Sequence, residues 1–354
     1  GRTSLKQGVV LRRIELRDGR SYSIRPSFLM PYMTAQTEAV ETPLFLRKFG
    51  VPFWALARVF GGDPMYWYRL EIGLGRNSLV GTTVRTAELP DHLLADEHHR
   101  RREGEKNYIA TTVADGCVLG AALSEGAGTD DLKQAYGVFK EEASDVDPDY
   151  APKTVNTDGW HATQAAWKIL FPLVAILQCF LHAWLKIRDR AKHLGDLFFE
   201  ISERVWDAYH AHDRRSFSQR IRSLRNWASG CLSGIVLDKI SDLCDKRDLW
   251  TLTYDHPEGH RTSNMLDRLM RSMNRYFDDG QHLHGSRVAC DQHCRAWALL
   301  HNFTPWHPAT AEDNNGWQSP AERLNNHRYH DDWLQNLLVS ASLNGYRNHA
   351  PQKT

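Results

Sequence analysis

Apolar and polar residues change rhythm several times along the chain, and each change marks an element. Residues Val9 to Arg25, VVLRRIELRDGRSYSIR, alternate about an Asp18-Gly19 turn and predict a β-hairpin. From Gln36 to about Leu74 the period becomes helical. Within VPFWALARVFGGDPMYWYRLEIG, Ala57 is small enough for close helix packing and Gly61 is free to turn. Asp63 and Pro64 are suited to cap and begin a second helix. Strand formers follow: LLADEHH, read as a short apolar strand ending in Asp96, then KNYIATTVADG and CVLGAALSE joined at Asp115-Gly116. Next, DDLKQAYGVFKEEAS sets Leu132, Tyr136 and Phe139 at helical spacing. A fourth strand, Thr154 to Asn156, then delivers Asp158 on a tight Asp-Gly turn.

A long apolar run, Ile169 to Leu185, comes next. Pro172, Gln178 and His182 interrupt it, so it predicts a buried strand and a helix and not a membrane span. Cys179 and His182 form a C-x-x-H step inside it. From there to about Leu249 the pattern is helical without a strand. HRTSNMLDRLMRSMNRYF then opens another helix, with Asn264 and Asp267 in its first turns. Beyond Trp306 the chain is rich in Asn, His, Trp and Pro. It predicts a loop and a terminal helix packed on the core, with no motif.

Bulk composition narrows the class. With 354 residues, 42% hydrophobic and 25% charged, the chain is long enough for about two to three domains of roughly 150 residues. Disordered and fibrous classes are excluded. Six scattered cysteines lack the density of a secreted disulfide scaffold and favour a reducing, intracellular setting. No secretory leader pattern is visible at the start. A net charge of +1 argues mildly against a nucleic-acid partner. The average hides a basic stretch, because 13 Lys and Arg face only 7 Asp and Glu up to Pro90.

The strand, the acid Asp158, the helix, the second strand and the C-x-x-H step, in that order, resemble the middle of the catalytic domain of the Mutator-like and related bacterial insertion-sequence transposases. The resemblance implies an α/β fold. Its ribonuclease-H-like mixed-sheet core is interrupted by an all-helical insertion and preceded by a helix-turn-helix DNA-binding region. The expected divisions are a 1–33 hairpin region, a 34–90 helix-turn-helix region, core segments at 91–182 and 259–305 around a 183–258 insertion, and a 306–354 tail. In the ribonuclease-H-like order the first and fourth strands lie side by side, so Asp96 and Asp158 are expected as neighbours.

Asp267 fits the frame of the third acid, N-x-x-E in the related enzymes, with Asp one methylene shorter than Glu. Asn264 with Asp267 is also close to a capping box, which would explain both by helix capping alone. The implied catalytic and metal-ligating set is Asp96, Asp158 and Asp267, holding Mg²⁺, with Mn²⁺ able to substitute. Glu97, next to Asp96, is expected on the opposite strand face. Tyr66, Tyr68 and Arg69 on the second helix of the hairpin, and Arg188, Arg220 and Arg222 on the insertion, are the expected DNA contacts. A plain helical hairpin and a solvated helix face are the respective alternatives.

Cys179 and His182 are expected to serve a structural or site-adjacent role, or to be an ordinary buried Cys and core His. As half of a zinc site they have only Cys290 and Cys294 as candidate partners, and that spacing is loose. The implied partners are double-stranded transposon-end and target DNA, met by a homodimer or larger assembly in a bacterial cytoplasm, with no membrane. Two other readings share the motifs: a nuclease of the same fold without strand transfer, and a domesticated DNA-binding protein that no longer cuts.

Overall fold

The computed structural model describes residues 2–4 (backbone), 8–17, 19, 21–31, 33–278 and 283–343. At the start, β1 (Arg2–Ser4), β2 (Val9–Glu15) and β3 (Ser21–Ile24) form an antiparallel three-stranded sheet. β2 and β3 are the expected hairpin; Asp18 of its turn lies outside the described residues. Four helices follow: α1 (Thr37–Arg47), α2 (Phe53–Phe60), α3 (Pro64–Leu74) and α4 (Leu79–Thr83). Gly61 and Gly62 both adopt positive φ between α2 and α3, a region that favours glycine. Asp63 caps α3 by accepting from the Met65 N–H at 2.8 Å, with Pro64 in the first helical position.

The central sheet comprises β4 (His92–Arg102), β5 (Glu105–Ala114), β6 (Cys117–Ser124), β7 (Thr154–Thr157) and β8 (Ala175–Gln178). Helices α5 (Thr129–Val146) and α6 (His161–Leu170) make the crossovers. Its order is β6-β5-β4-β7-β8: the first three strands run antiparallel, while β7 and β8 run parallel to β4. The turn between β5 and β6 puts both Asp115 and Gly116 at positive φ, the geometry that makes Asp-Gly a tight hairpin signal. β4 does not end at Asp96 but continues to Arg102. The polar residues after Asp96 keep pairing with β5 over a long hairpin whose far end is exposed, so loss of apolar character there marks solvent and not the strand's end.

Alternation sorts the sheet's side chains onto two faces. Leu93, Ala95, Ala110, Leu119 and Val155 pack under α5 and α6 with Tyr136, Phe139 and Trp167. Leu94, Ile109, Val118 and Leu123 pack on the opposite side, against α1 and α3 and two later helices. The insertion, α7 (Phe180–Ala191), α8 (Asp196–Tyr209), α9 (Arg214–Cys231), α10 (Gly234–Asp245) and α11 (Arg247–Thr251), has a core of its own around Trp184, Ile201, Phe217, Ile240 and Trp250.

The chain then returns to the sheet as α12 (Asn264–Phe277) and α13 (Arg287–Phe303), the latter running buried across β6. The tail adds α14 (Pro308–Glu312), α15 (Pro320–Asn325) and α16 (Trp333–Ser342), with Leu334 and Leu337 buried in the core; residues 344–354 lie outside the described residues. Among the described residues no helix is long and apolar enough to cross a membrane.

Candidate functional site

Three elements converge where β4 outlasts its parallel partner. The β4/β7 register pairs His92 with Thr154 and Leu94 with Asn156, a constant offset that, carried on by two positions, sets Asp96 opposite Asp158. Asp158 is the first residue past β7. Its Oδ1 accepts the Trp160 N–H at 2.8 Å, and Gly159 between them takes a φ of +95°. Asp96 Oδ1 accepts the Glu97 N–H at 2.8 Å. Asp96 shares a face with Leu94, towards α12, while Glu97 shares the face of Ala95.

Asp267 comes from the opening of α12. Its N–H bonds to the Ser263 carbonyl, so the helix starts at Asn264 and Ser263 is the cap. Asn264 therefore does not occupy the cap position, and the capping-box account of Asn264 and Asp267 fails. Asp96, Asp267, His98, His99, His182, Asn264, Arg268 and Arg271 line an open cleft of about 800 Å³. Asp158 is not among the lining residues but reaches Asp96 through its charge.

Burial, then the charge of Asp158, then that of Asp267, push the Asp96 carboxyl up to about 6 against the Glu97 N–H bond and the charge of His182. Glu97 is pushed up to about 7, mainly by burial, although Tyr136 and Thr163 each donate to its Oε1 at 2.7 Å. Its carboxylate is satisfied on the side of α5 and α6, yet Glu97 is also among the residues lining the cleft, so alternation does not remove it from the site altogether. His98 is held down to about 4 by burial first, and remains neutral.

The segment leading into α12 is fastened to the parallel edge of the sheet. Asn156 Nδ2 donates to the His260 carbonyl at 2.8 Å, and the Phe180 N–H donates to the Arg261 carbonyl at 3.2 Å. The Ser263 N–H donates to Cys179 Sγ at 3.3 Å, and the Ser263 hydroxyl lies 3.3 Å from the same sulfur and 3.4 Å from Asp267 Oδ2. A Cβ on Gly259 would stand 2.7 Å from Leu177 Cδ1, so the chain passes that point without a side chain.

Cys179 is thus a buried anchor for the third acid's helix. His182 is pushed up to about 9 by Cys179 first, against its burial, and then by Asp267 and Asp96. Its buried Nδ1 has no partner at hydrogen-bond distance. Burial pushes the Cys179 thiol up, and its contacts with His182 and Ser263 outweigh that and lower it. Cys290 and Cys294 lie on α13 within the core beneath β6, with Cys290 Sγ donating to the His284 carbonyl.

The expected DNA contacts are more dispersed. Tyr68 packs edge-on against Phe53 and His293, Tyr66 packs against Trp67, and Arg69 is exposed. Arg188 pairs with Asp189 and Arg220 with Asp207, whereas Arg222 is exposed without an ion pair among the described residues. Sequence reasoning passed over Ser263, which carries no signal of its own, and the arginine wall of the cleft. The latter was visible as the four- and three-residue spacing of Asn264, Arg268, Arg271 and Arg275.

Among the described residues, no three His, Cys, Asp or Glu side chains stand close enough to hold one metal ion together. No protein-family model matches the chain, and no curated protein matches it.

Proposed function

We propose that the chain is a DNA transposase whose core is ribonuclease-H-like, cutting and joining DNA at Asp96, Asp158 and Asp267. The observation that carries the reading is the β4/β7 register, whose offset carried past the end of β7 sets Asp158 opposite Asp96, with Asp267, 109 residues beyond Asp158, lining the same cleft as Asp96. The strand order β6-β5-β4-β7-β8, with a helical insertion before the third acid, supports it. So does the pair α2 and α3 joined at Gly61-Gly62, which has the form of a helix-turn-helix.

The donor set fits a hard divalent cation. All three groups are carboxylates, and the Asp96 carboxyl is raised to about 6 by burial first and then by the charges of Asp158 and Asp267, against the Glu97 N–H and His182. Charge range is not ligation distance, and holding one ion jointly requires the side chains to close further on it. The chemistry that paired Mg²⁺ or Mn²⁺ supplies is activation of the attacking oxygen and neutralisation of charge at phosphorus. The protein's own part is to orient the carboxylates through the β4/β7 register and the Cys179–Ser263 anchor. His182, protonated at neutral pH, offers positive charge to a phosphate entering the cleft. α2 and α3 dock on element-end DNA, and a dimer or larger assembly brings two ends together.

The test incubates the protein with Mg²⁺ or Mn²⁺, labelled element-end DNA and a target plasmid. Joined product supports the transposase. Cut product alone points to a nuclease without strand transfer. Retention with neither points to a DNA-binding protein without catalysis. Wild-type activity from Asp158→Ala would refute the site.

A further inference from the structure

The exposed side of α12 carries a row that the three acids do not account for. Asn264, Arg268, Arg271 and Arg275 are all exposed. At about 100° per residue they fall within an arc of about 60°, opposite the buried Leu266, Leu269, Met273, Tyr276 and Phe277. Asp267 borders the row on the side of the acids, and Arg268 and Arg271 form part of the cleft wall. None of the three arginines makes an ion pair with a described residue. Several surface cations of the insertion are neutralised locally, Arg188 by Asp189, Arg220 by Asp207, Arg225 by Asp245 and Lys239 by Asp242, while others such as Arg222 stand singly and away from the cleft lining.

Arginines without an ion pair among the described residues, in one line running directly into an acid-bearing cleft, form a surface complementary to a polyanion. From Arg268 to Arg275 the row spans about 10 Å, roughly three nucleotide steps of one strand at a rise of about 3.4 Å.

We propose that Arg268, Arg271 and Arg275 form a phosphate track that grips the backbone of the DNA strand being cut and leads its scissile phosphate to Asp267 and Asp96. The track rests on the transposase reading and deepens it by assigning the DNA contact to α12, in place of the paired Arg188 and Arg220. A guanidinium fork on each successive phosphate holds the strand's register without reading its bases.

The experiment measures binding of a fluorescent DNA duplex to the full chain across a salt series, without divalent metal. Arg268→Gln, Arg271→Gln and Arg275→Gln are combined in one variant. A second variant removes three paired cations, Lys153→Gln, Lys239→Gln and Arg247→Gln, for the same loss of charge. The track predicts that the first variant binds roughly tenfold or more weakly and loses about two to three from the slope of log affinity against log salt, at about 0.9 per phosphate contact. The second keeps the wild-type slope.

Equal slopes for the two variants, or no DNA binding by the wild type, would overturn the track. Thermal unfolding of each variant guards against misfolding, and the single variants, read the same way, keep the test decisive if the triple does not fold. The two readings fail separately. A slope lost while the wild type never cuts DNA keeps the track and sinks the transposase, and cutting with an unchanged slope does the reverse.

Discussion

Asp96 on β4 and Asp158, the first residue past β7, are 62 positions apart in the chain, the same offset that the parallel β4/β7 register holds from His92 and Thr154 to Leu94 and Asn156. Neighbouring strands lie about 4.8 Å apart, so two carboxylates at one level feel each other's charge. That is the second-largest influence on Asp96, after burial.

Replacing any one of Asp96, Asp158 and Asp267 by Asn is expected to abolish metal-dependent cutting while leaving duplex binding intact. If the acids act as one unit, the double variants fall no further than the singles. Single-turnover cleavage beside a binding titration checks this. Additive losses would mean that the three do not share a site.

Ser263→Ala removes the hydroxyl between Cys179 Sγ and Asp267 Oδ2 and keeps the backbone N–H bond. The stability cost is expected to be about 1 kcal/mol, that of one net hydrogen bond. Amide exchange should rise at the start of α12, near Asp267, and not in its second half, where Tyr276 bonds to Glu71. Ser263→Thr keeps the hydroxyl and should restore protection. Uniform loosening of α12 in Ser263→Ala would count against a local anchor.

Buried Glu71 ties α3 to α1, α12 and α13 by accepting from Arg47 Nε at 2.6 Å and contacting Tyr276 and His293. Burial pushes its carboxyl up, yet Arg47 and His293 override burial and hold it at about 2, against an ordinary 4.5. A depressed carboxyl contributes stability above its unfolded pKa and loses it as pH falls through the folded value. The expected window of loss is therefore about pH 4.5 down to about 2. Glu71→Gln strands Arg47 and is expected to cost about 3–5 kcal/mol at neutral pH. It should also flatten the acid limb of denaturant unfolding measured against pH. An unchanged acid limb would contradict the assignment.

Gly75 follows α3 where it crosses α13, and a Cβ there would stand 1.9 Å from the Gln292 carbonyl oxygen. The obstacle is backbone and cannot rotate away. Gly75→Ala is expected to cost about 1–3 kcal/mol or more through overpacking, seen as a lower denaturation midpoint with an unchanged m-value. Wild-type stability would show that α3 and α13 are not in this contact.

Local pattern sufficed for the elements. Runs of strand formers marked β5 and β6, the Asp115-Gly116 pair marked their turn, and Asp63-Pro64 marked the start of α3, because strand propensity, turns and caps are decided by a few adjacent residues. The opposite facing of Asp96 and Glu97 was also legible, since a strand's period is two. The end of β4 was not, because the polar residues from Glu97 to Arg102 stay extended only through pairing with β5.

What the chain's order of residues determined alone is the menu of strands, helices and turns and the candidate acids they carry. Tertiary packing decided which of these meet. Ser263 became an anchor only when the chain came back from the helical insertion to Cys179, and Arg268 and Arg271 became the wall of a cleft only when the apolar side of α12 was buried against the sheet. Long-range contacts of this kind depend on burying apolar surface between distant segments, and no short window of sequence contains that balance.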